Sequence, residues 1–222
     1  MSTEIELKYH LDESTARALL HQRRLGGFAI GPFSAKKVTD IYFDTPDRRL
    51  ARAGFALRFR RKGEKTALQM KSLTPASGAW HARREMHIPT QFPTQPERWP
   101  DTPEAAFLRK IVGDQPLQRL LTIHQTRHEA PVRDAAGQPF AQISLDEVRW
   151  VTETKEARAW ELEAELLPDA DEAKLRALQE ALAALPGLKP QTTNKYERGM
   201  ALRDERPTSP GNTGEPPVRP TP

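Results

Sequence analysis

The chain has 222 residues, 37% hydrophobic and 29% charged, which suits one domain with a buried core and some length to spare. It contains no cysteine, excluding a disulfide framework, a thiolate metal site and a cysteine nucleophile, so any metal must be held by carboxylates or histidine. A net charge of +4 and a pI near 9.4 favour an anionic partner without requiring nucleic acid, and no stretch of about 18 apolar residues or leader-like segment is visible, so a cytoplasmic protein away from membranes is expected.

The first element is the strand-like run Glu4-Ile-Glu-Leu-Lys8. Alternation puts Glu4, Glu6 and Lys8 on one face and Ile5 and Leu7 on the other. Read alone, this pattern also describes the solvated face of an amphipathic strand. Asp12 can N-cap a helix through Ala16, Leu19 and Leu20 that stops at Gly26-Gly27. Strands are expected over 37 to 44, 54 to 62, 65 to 72 and 79 to 88, followed by a proline-rich loop from Phe92 to Asp101. Pro103 opens a helix to Ile111, and a short helical piece is expected over Leu117 to Leu121. Strands resume at 123 to 133, turn at Asp134-Ala-Ala-Gly137, and continue over 139 to 146, 148 to 154 and 158 to 167. Asp171 caps a last long helix with Leu175, Leu178, Leu182 and Leu185 on one stripe. A short strand is expected over Lys195 to Leu202, and a disordered Pro-rich tail or linker over 204 to 222, leaving residues 1 to 203 as the folded domain.

Charge signs segregate by strand. The run Trp160 to Leu166 carries Glu161, Glu163 and Glu165 on one face, whereas Gly54 to Lys62 carries Arg58, Arg60 and Lys62. Lys71 ends the run from Lys65. A solvent-facing sheet usually mixes signs, because like charges set opposite each other destabilise it. The economical reading is an enclosed polar interior in which glutamates hold a cation and arginines and lysines hold a polyanion. The expected fold is therefore α+β: an antiparallel β-barrel with a charged lumen, flanked by helices, with an open sheet wet on one face as the alternative.

These residues resemble the CYTH superfamily, or triphosphate tunnel metalloenzymes. The resemblance rests on Glu4, Glu6 and Lys8, then Tyr42-Phe-Asp-Thr45, Leu57-Arg-Phe-Arg60, Lys71, Arg83 with Glu85, Arg127, Ile143-Ser-Leu-Asp146, Glu161 to Glu165, and Lys195-Tyr-Glu-Arg-Gly199. Gln69 and Asn194 depart from a threonine and a serine often found there. The resemblance implies an eight-stranded antiparallel tunnel that binds a triphosphate with Mg²⁺ or Mn²⁺. Within the family the layout most resembles bacterial inorganic triphosphatases. Some of these carry a C-terminal helical CHAD domain, and the Pro-rich tail would fit the linker to such a partner.

On that reading Glu4, Glu6 and Glu163 are the first metal ligands, with Asp146, Glu161 and Glu165 as further candidates. Arg58, Arg60, Lys71, Arg83, Arg127 and Lys195, with Lys8 and Lys189 behind them, would grip the small-molecule triphosphate. Glu4, Glu6, Lys8 and Glu163 form the expected catalytic set for metal-assisted hydrolysis of tripolyphosphate to pyrophosphate and phosphate. A class IV type adenylate cyclase, a thiamine triphosphatase and a binding module without turnover stay open. The six histidines lack helical zinc spacing, and there is no Walker A loop.

Overall fold

Alternation along β1 (Ser2–Leu11) separates the inside of the molecule from the outside: Leu7, Tyr9 and Leu11 are buried in an exterior apolar cluster, while Glu6 and Lys8 are buried on the opposite face. The same alternation recurs in seven other long strands. A computed structural model describes residues 2–205. After β1 come α1 (Glu13–Leu20), β2 (Arg24–Leu25), β3 (Phe28–Ile30), β4 (Ser34–Asp44), α2 (Arg49–Arg52), β5 (Phe55–Lys62), β6 (Lys65–Ser72) and β7 (Trp80–Pro89). They are followed by α3 (Pro103–Val112), β8 (Gln118–Arg133), β9 (Pro139–Val151), β10 (Glu156–Leu166), α4 (Glu172–Ala183), β11 (Lys189–Pro190) and α5 (Lys195–Asp204).

Strands β8, β4, β5, β6, β7, β1, β10 and β9 pair in that order, and β9 returns to pair with β8, closing an eight-stranded antiparallel barrel. Closure leaves none of these eight strands with a free edge. The β2–β3 hairpin extends the end of β8, and β11 pairs with the end of β1. No helix among the described residues is long and apolar enough to cross a membrane.

The exterior is covered in two places. Leucines of β1, β9 and β10 meet Ala16 and Leu19 of α1 and Leu175, Leu178 and Leu182 of α4. The outward faces of β5, β6 and β7 meet Leu50 of α2 and Ala105, Leu108 and Val112 of α3. A third cluster lies within the lumen: Tyr42, Ala56, Leu121, Ile123, Val148 and Trp150 stand on the inward faces of their strands and pack against Tyr196 of α5. One end of the tunnel is thus dry and plugged by a helix.

Five expectations change. Lys195 to Asp204 is a helix, because the Asn194 side chain accepts from Glu197 N while the Glu197 side chain accepts from Asn194 N, a capping box that a strand reading overlooks. Leu117 to Leu121 enters strand β8; a register shift between Tyr42 and Phe43 lets adjacent Leu120 and Leu121 both join the interior cluster, imitating helical spacing. Helix α1 ends at Leu20, and Gly26, at φ +55°, turns the β2–β3 hairpin instead. Residues 139 to 151 form one strand rather than two, long enough to pair with both β8 and β10. Lys189 belongs to β11 and is exposed opposite His10, outside the lumen. Of the tail expected over 204 to 222, Asp204 ends helix α5, and residues 206 to 222 lie outside the described residues.

Helix α5 docks by close approach. Trp150 Nε1 donates to the Lys195 carbonyl at 2.8 Å, and a Cβ on Gly199 would lie 2.8 Å from a Leu121 methyl and 2.9 Å from the Trp150 ring. Gly199→Val should therefore destabilise the protein by about 1–3 kcal/mol through overpacking, read as a lower urea midpoint monitored by tryptophan fluorescence.

Candidate active site: a belt of ion pairs inside the barrel

The barrel brings together charges that the sequence keeps on separate strands. Glu4 of β1 stands opposite Arg83 of β7, Lys71 of β6 opposite Glu85 of β7, Arg127 of β8 opposite Asp146 of β9, and Lys8 of β1 opposite Glu163 of β10. The expected segregation into a cation-holding cluster and an anion-holding cluster is replaced by alternation around the wall.

The ion pairs form a nearly continuous belt. Arg60 Nε donates to Asp40 at 2.7 Å, and Arg58 lies 3.6 Å from Asp40 and 3.9 Å from Glu85. Glu85 is 3.5 Å from Lys71, which binds Glu4; Arg83 pairs with Glu6 and lies 3.4 Å from Glu4. Lys8 bridges Glu6, at 3.0 Å, and Glu163. Glu163 also accepts from Arg127 and, at 2.6 Å, from Lys195, and both of these cations reach Asp146. Lys195 lies 3.1 Å from Glu161, which also pairs with Arg198.

Burial alone would push these carboxyl groups up. For Glu6 the cations Lys8 and Arg83 outweigh burial, for Asp40 Arg60 and Arg58 do so, and for Glu163 Lys195, Lys8 and Arg127 do so. All three are held well below the usual carboxylate range. Against the same burial, His87, Lys71 and Arg58 hold Glu85 down at about 2. Burial would likewise lower Lys195, but Asp146, Glu161 and Glu163 raise it above the usual lysine range.

The belt surrounds a cavity of about 210 Å³ lined by seven lysine and arginine side chains and five carboxylates. Glu4, Glu6, Lys8, Arg58, Arg60, Lys71, Arg83, Arg127, Glu163, Glu165 and Lys195 all line it. Asp146 and Glu161 are buried behind Lys195, and Lys189 is remote. Sequence reasoning overlooked Asp40 as a site residue, although its position two residues before Tyr42 on the inward face of β4 was a usable signal. Glu85, His87, Gln69 and Tyr196 also line the cavity. Asp44, by contrast, turns away and accepts from the backbone of Thr45, Leu50 and Ala51, fixing the start of α2.

Two features point to missing partners. Arg83 Nε is buried and has no hydrogen-bond partner among the described residues, a donor that costs stability unless something accepts from it. Among the described residues Glu165 makes no ion pair; partial desolvation and the neighbours Glu4, Glu6 and Glu163 push its carboxyl above the usual range, although water reaches it at the rim. Among the described residues no three acidic or histidine side chains form a ready metal cage. Mg²⁺ does not need one, since it commonly takes one or two carboxylates with waters and substrate phosphates. The hard oxygens of Glu4, Glu6, Glu163 and Glu165 facing one cavity fit that chemistry.

A model of the CYTH domain matches residues 2–200. The chain belongs to the CYTH domain family. Its barrel is similar to that of a putative adenylyl cyclase from Hippeastrum described as having a dominant triphosphatase activity, with 21% identity and a TM-score of 0.62 over 90% of this chain and 96% of that one. It is also similar to a putative adenylate cyclase from Bacillus halodurans, with 22% identity and a TM-score of 0.59 over 89% and 98% of the two chains. At these identities the likeness establishes the tunnel fold of the CYTH chain.

The belt also makes stability depend on pH. Glu6, Asp40, Glu85, Asp146 and Glu163 bind protons less readily in the folded than in the unfolded state, so their contribution is complete above about pH 4.5 and is lost as pH falls toward 2. Thermal melts should show Tm falling progressively as pH drops from about 4.5 toward 2.

Proposed function

We propose that this CYTH protein is a divalent-metal-dependent inorganic triphosphatase, converting tripolyphosphate to pyrophosphate and phosphate. The observation that carries this reading is the interleaving of seven cations and five carboxylates around one small, closed-ended cavity. Its volume of about 210 Å³ falls below the ~300–1,000 Å³ typical of sites for drug-sized ligands. The aromatic rings nearby offer little to an organic base: Tyr42 and Tyr196 are 5% and 8% exposed and pack on each other with centroids 5.2 Å apart. A bare phosphate chain suits such walls better than a nucleoside or thiamine triphosphate.

In this reaction Arg58, Arg60, Lys71, Arg83, Arg127 and Lys195 bind the phosphate oxygens, with arginine forks gripping two oxygens at once and Arg83 Nε acquiring its acceptor. Glu4, Glu6 and Glu163 would hold Mg²⁺ or Mn²⁺, with Glu165 at the rim as an additional donor. When bound, the ion would polarise the phosphoryl group and lower the pKa of an attacking water. Asp146 and Glu161 act through Lys195, which they orient from behind. The water oxygen bonds to the terminal phosphorus as the bridging P–O bond breaks, the bridging electron pair leaves with pyrophosphate, and the water protons pass to the products and solvent. Basic side chains offset the charge that develops on the leaving oxygen, so no side-chain nucleophile is needed.

The belt couples the two ligands. A triphosphate alone draws cations away from their carboxylates, and a metal alone draws carboxylates from their cations. Bound together, each ligand satisfies the groups the other has released, so each should raise the other's affinity by the same factor.

Phosphate release from tripolyphosphate should exceed release from ATP and thiamine triphosphate, require Mg²⁺ or Mn²⁺, and stop in EDTA. Glu4→Gln should abolish turnover more than binding, and Arg83→Ala should lower kcat/KM by about 10²–10³-fold. Cyclic AMP formed from ATP faster than tripolyphosphate is hydrolysed would overturn the assignment, and normal turnover by Glu4→Gln would remove the metal role of that residue.

A further inference from the structure

A second concentration of positive charge lies on the outside of the barrel. Arg61 of β5, Thr39 of β4, His124 of β8, Arg149 of β9 and Arg158 of β10 are paired in register from strand to strand, forming one continuous row on the outward face. Four inter-strand steps of ~4.8 Å make the row about 19 Å long. None of its residues belongs to either exterior apolar cluster. A groove of about 290 Å³ runs along its stretch from Thr39 through His124 and Arg149 to Arg158, flanked by Glu147 and by Lys37, whose Nζ donates to Thr126 at 2.8 Å.

Like charges directly opposite in a sheet are destabilising, yet Arg149 stands opposite Arg158 and beside His124. Glu156 offsets only part of this, at 3.1 Å from Arg149 and 3.3 Å from Arg158. Around the row, Lys37, Arg61, Arg149 and Arg158 stand against Glu147 and Glu156. His124 is held below the usual histidine range by desolvation first and then by Arg149 and Arg119 against Glu156.

We propose that this outer row is a docking track for linear inorganic polyphosphate, a polyanion long enough to lie across several strands. Charge complementarity supplies the attraction. The rings at the row are already engaged: His124 lies 3.4 Å from Thr39 Oγ1, and Trp160, beside Arg158 on the same face, stacks on His128 and packs on the exterior apolar cluster, whereas proteins that bind single-stranded nucleic acid combine basic grooves with open aromatic side chains on which bases stack. A phosphate chain without bases is therefore the better occupant. The track is separate from the tunnel and its existence does not depend on the reaction assigned there.

Fluorescence anisotropy of the full chain with end-labelled linear polyphosphate tests this. Arg149→Glu combined with Arg158→Glu should weaken binding about tenfold or more while leaving tripolyphosphate turnover at the wild-type rate. Arg83→Ala, inside the tunnel, should leave polyphosphate affinity within about twofold. Lys37→Glu combined with Arg61→Glu provides the same reading if the first pair fails to fold. Wild-type affinity in the folded charge-reversed variants, loss of binding in Arg83→Ala, or equally tight binding of single-stranded oligothymidylate would each overturn the proposal.

Discussion

The constraint on which the rest of this structure depends is the confinement of many charges of both signs within a barrel too narrow to hydrate them freely. Removing ions from water costs several kcal/mol each, and the mutual attraction of buried pairs repays this only when nearly every charge has close partners. The belt from Arg60 through Asp40, Arg58, Glu85, Lys71, Glu4, Arg83, Glu6, Lys8 and Glu163 to Lys195 meets that condition by sharing each ion beyond Arg60 between two or more neighbours. Strand register is fixed by the same requirement, since a slip of one residue would turn these charges outward and the leucines inward.

Much of this was legible in the sequence because a strand's two-residue period exposes which side chains share a face. Glu4, Glu6 and Lys8, and likewise Arg58 and Arg60, could be assigned to one lining from alternation alone. Their partners could not. Whether Glu4 meets Arg83 or another cation depends on which strands become neighbours, and β1 lies between β7 and β10, both distant in sequence. The segregation of signs along the chain was real, but pairing across the barrel turned it into alternation. Helix α5 was misread for a related reason: Lys195 and Tyr196 serve the lumen as a strand's residues would, whereas the capping box that makes them helical is a local signal of only four residues.

The two ends of the lumen have different physical characters. Toward α5, inward positions become apolar, and Leu121, Ile123, Val148 and Trp150 exclude water from the region next to Lys195. That dryness strengthens the nearby electrostatics, because interactions weaken in proportion to the dielectric around them. It also explains why Lys195 needs Asp146, Glu161 and Glu163 together, since a lysine beside an apolar wall would otherwise lose its proton. At the other extreme Glu165 reaches water and has no ion pair among the described residues, so it is the carboxylate best able to change partner at little cost.

A fully paired interior would bind nothing strongly, since each incoming charge would have to displace an existing partner. Besides the buried, unpartnered Gln125 Oε1, the charges of the lumen stop short of full pairing in two places among the described residues, the unpartnered Arg83 Nε and the unpaired Glu165, one on each side of the charge balance. An anion is favoured by the first and a cation by the second. A ligand pair carrying both signs gains from both at once, and its excess negative charge is matched by the majority of cations lining the cavity. Stability and selectivity therefore have a common origin: the belt holds the barrel together through pairings that a metal-bound phosphate chain can replace with equivalent ones, and that a single ion of either sign cannot.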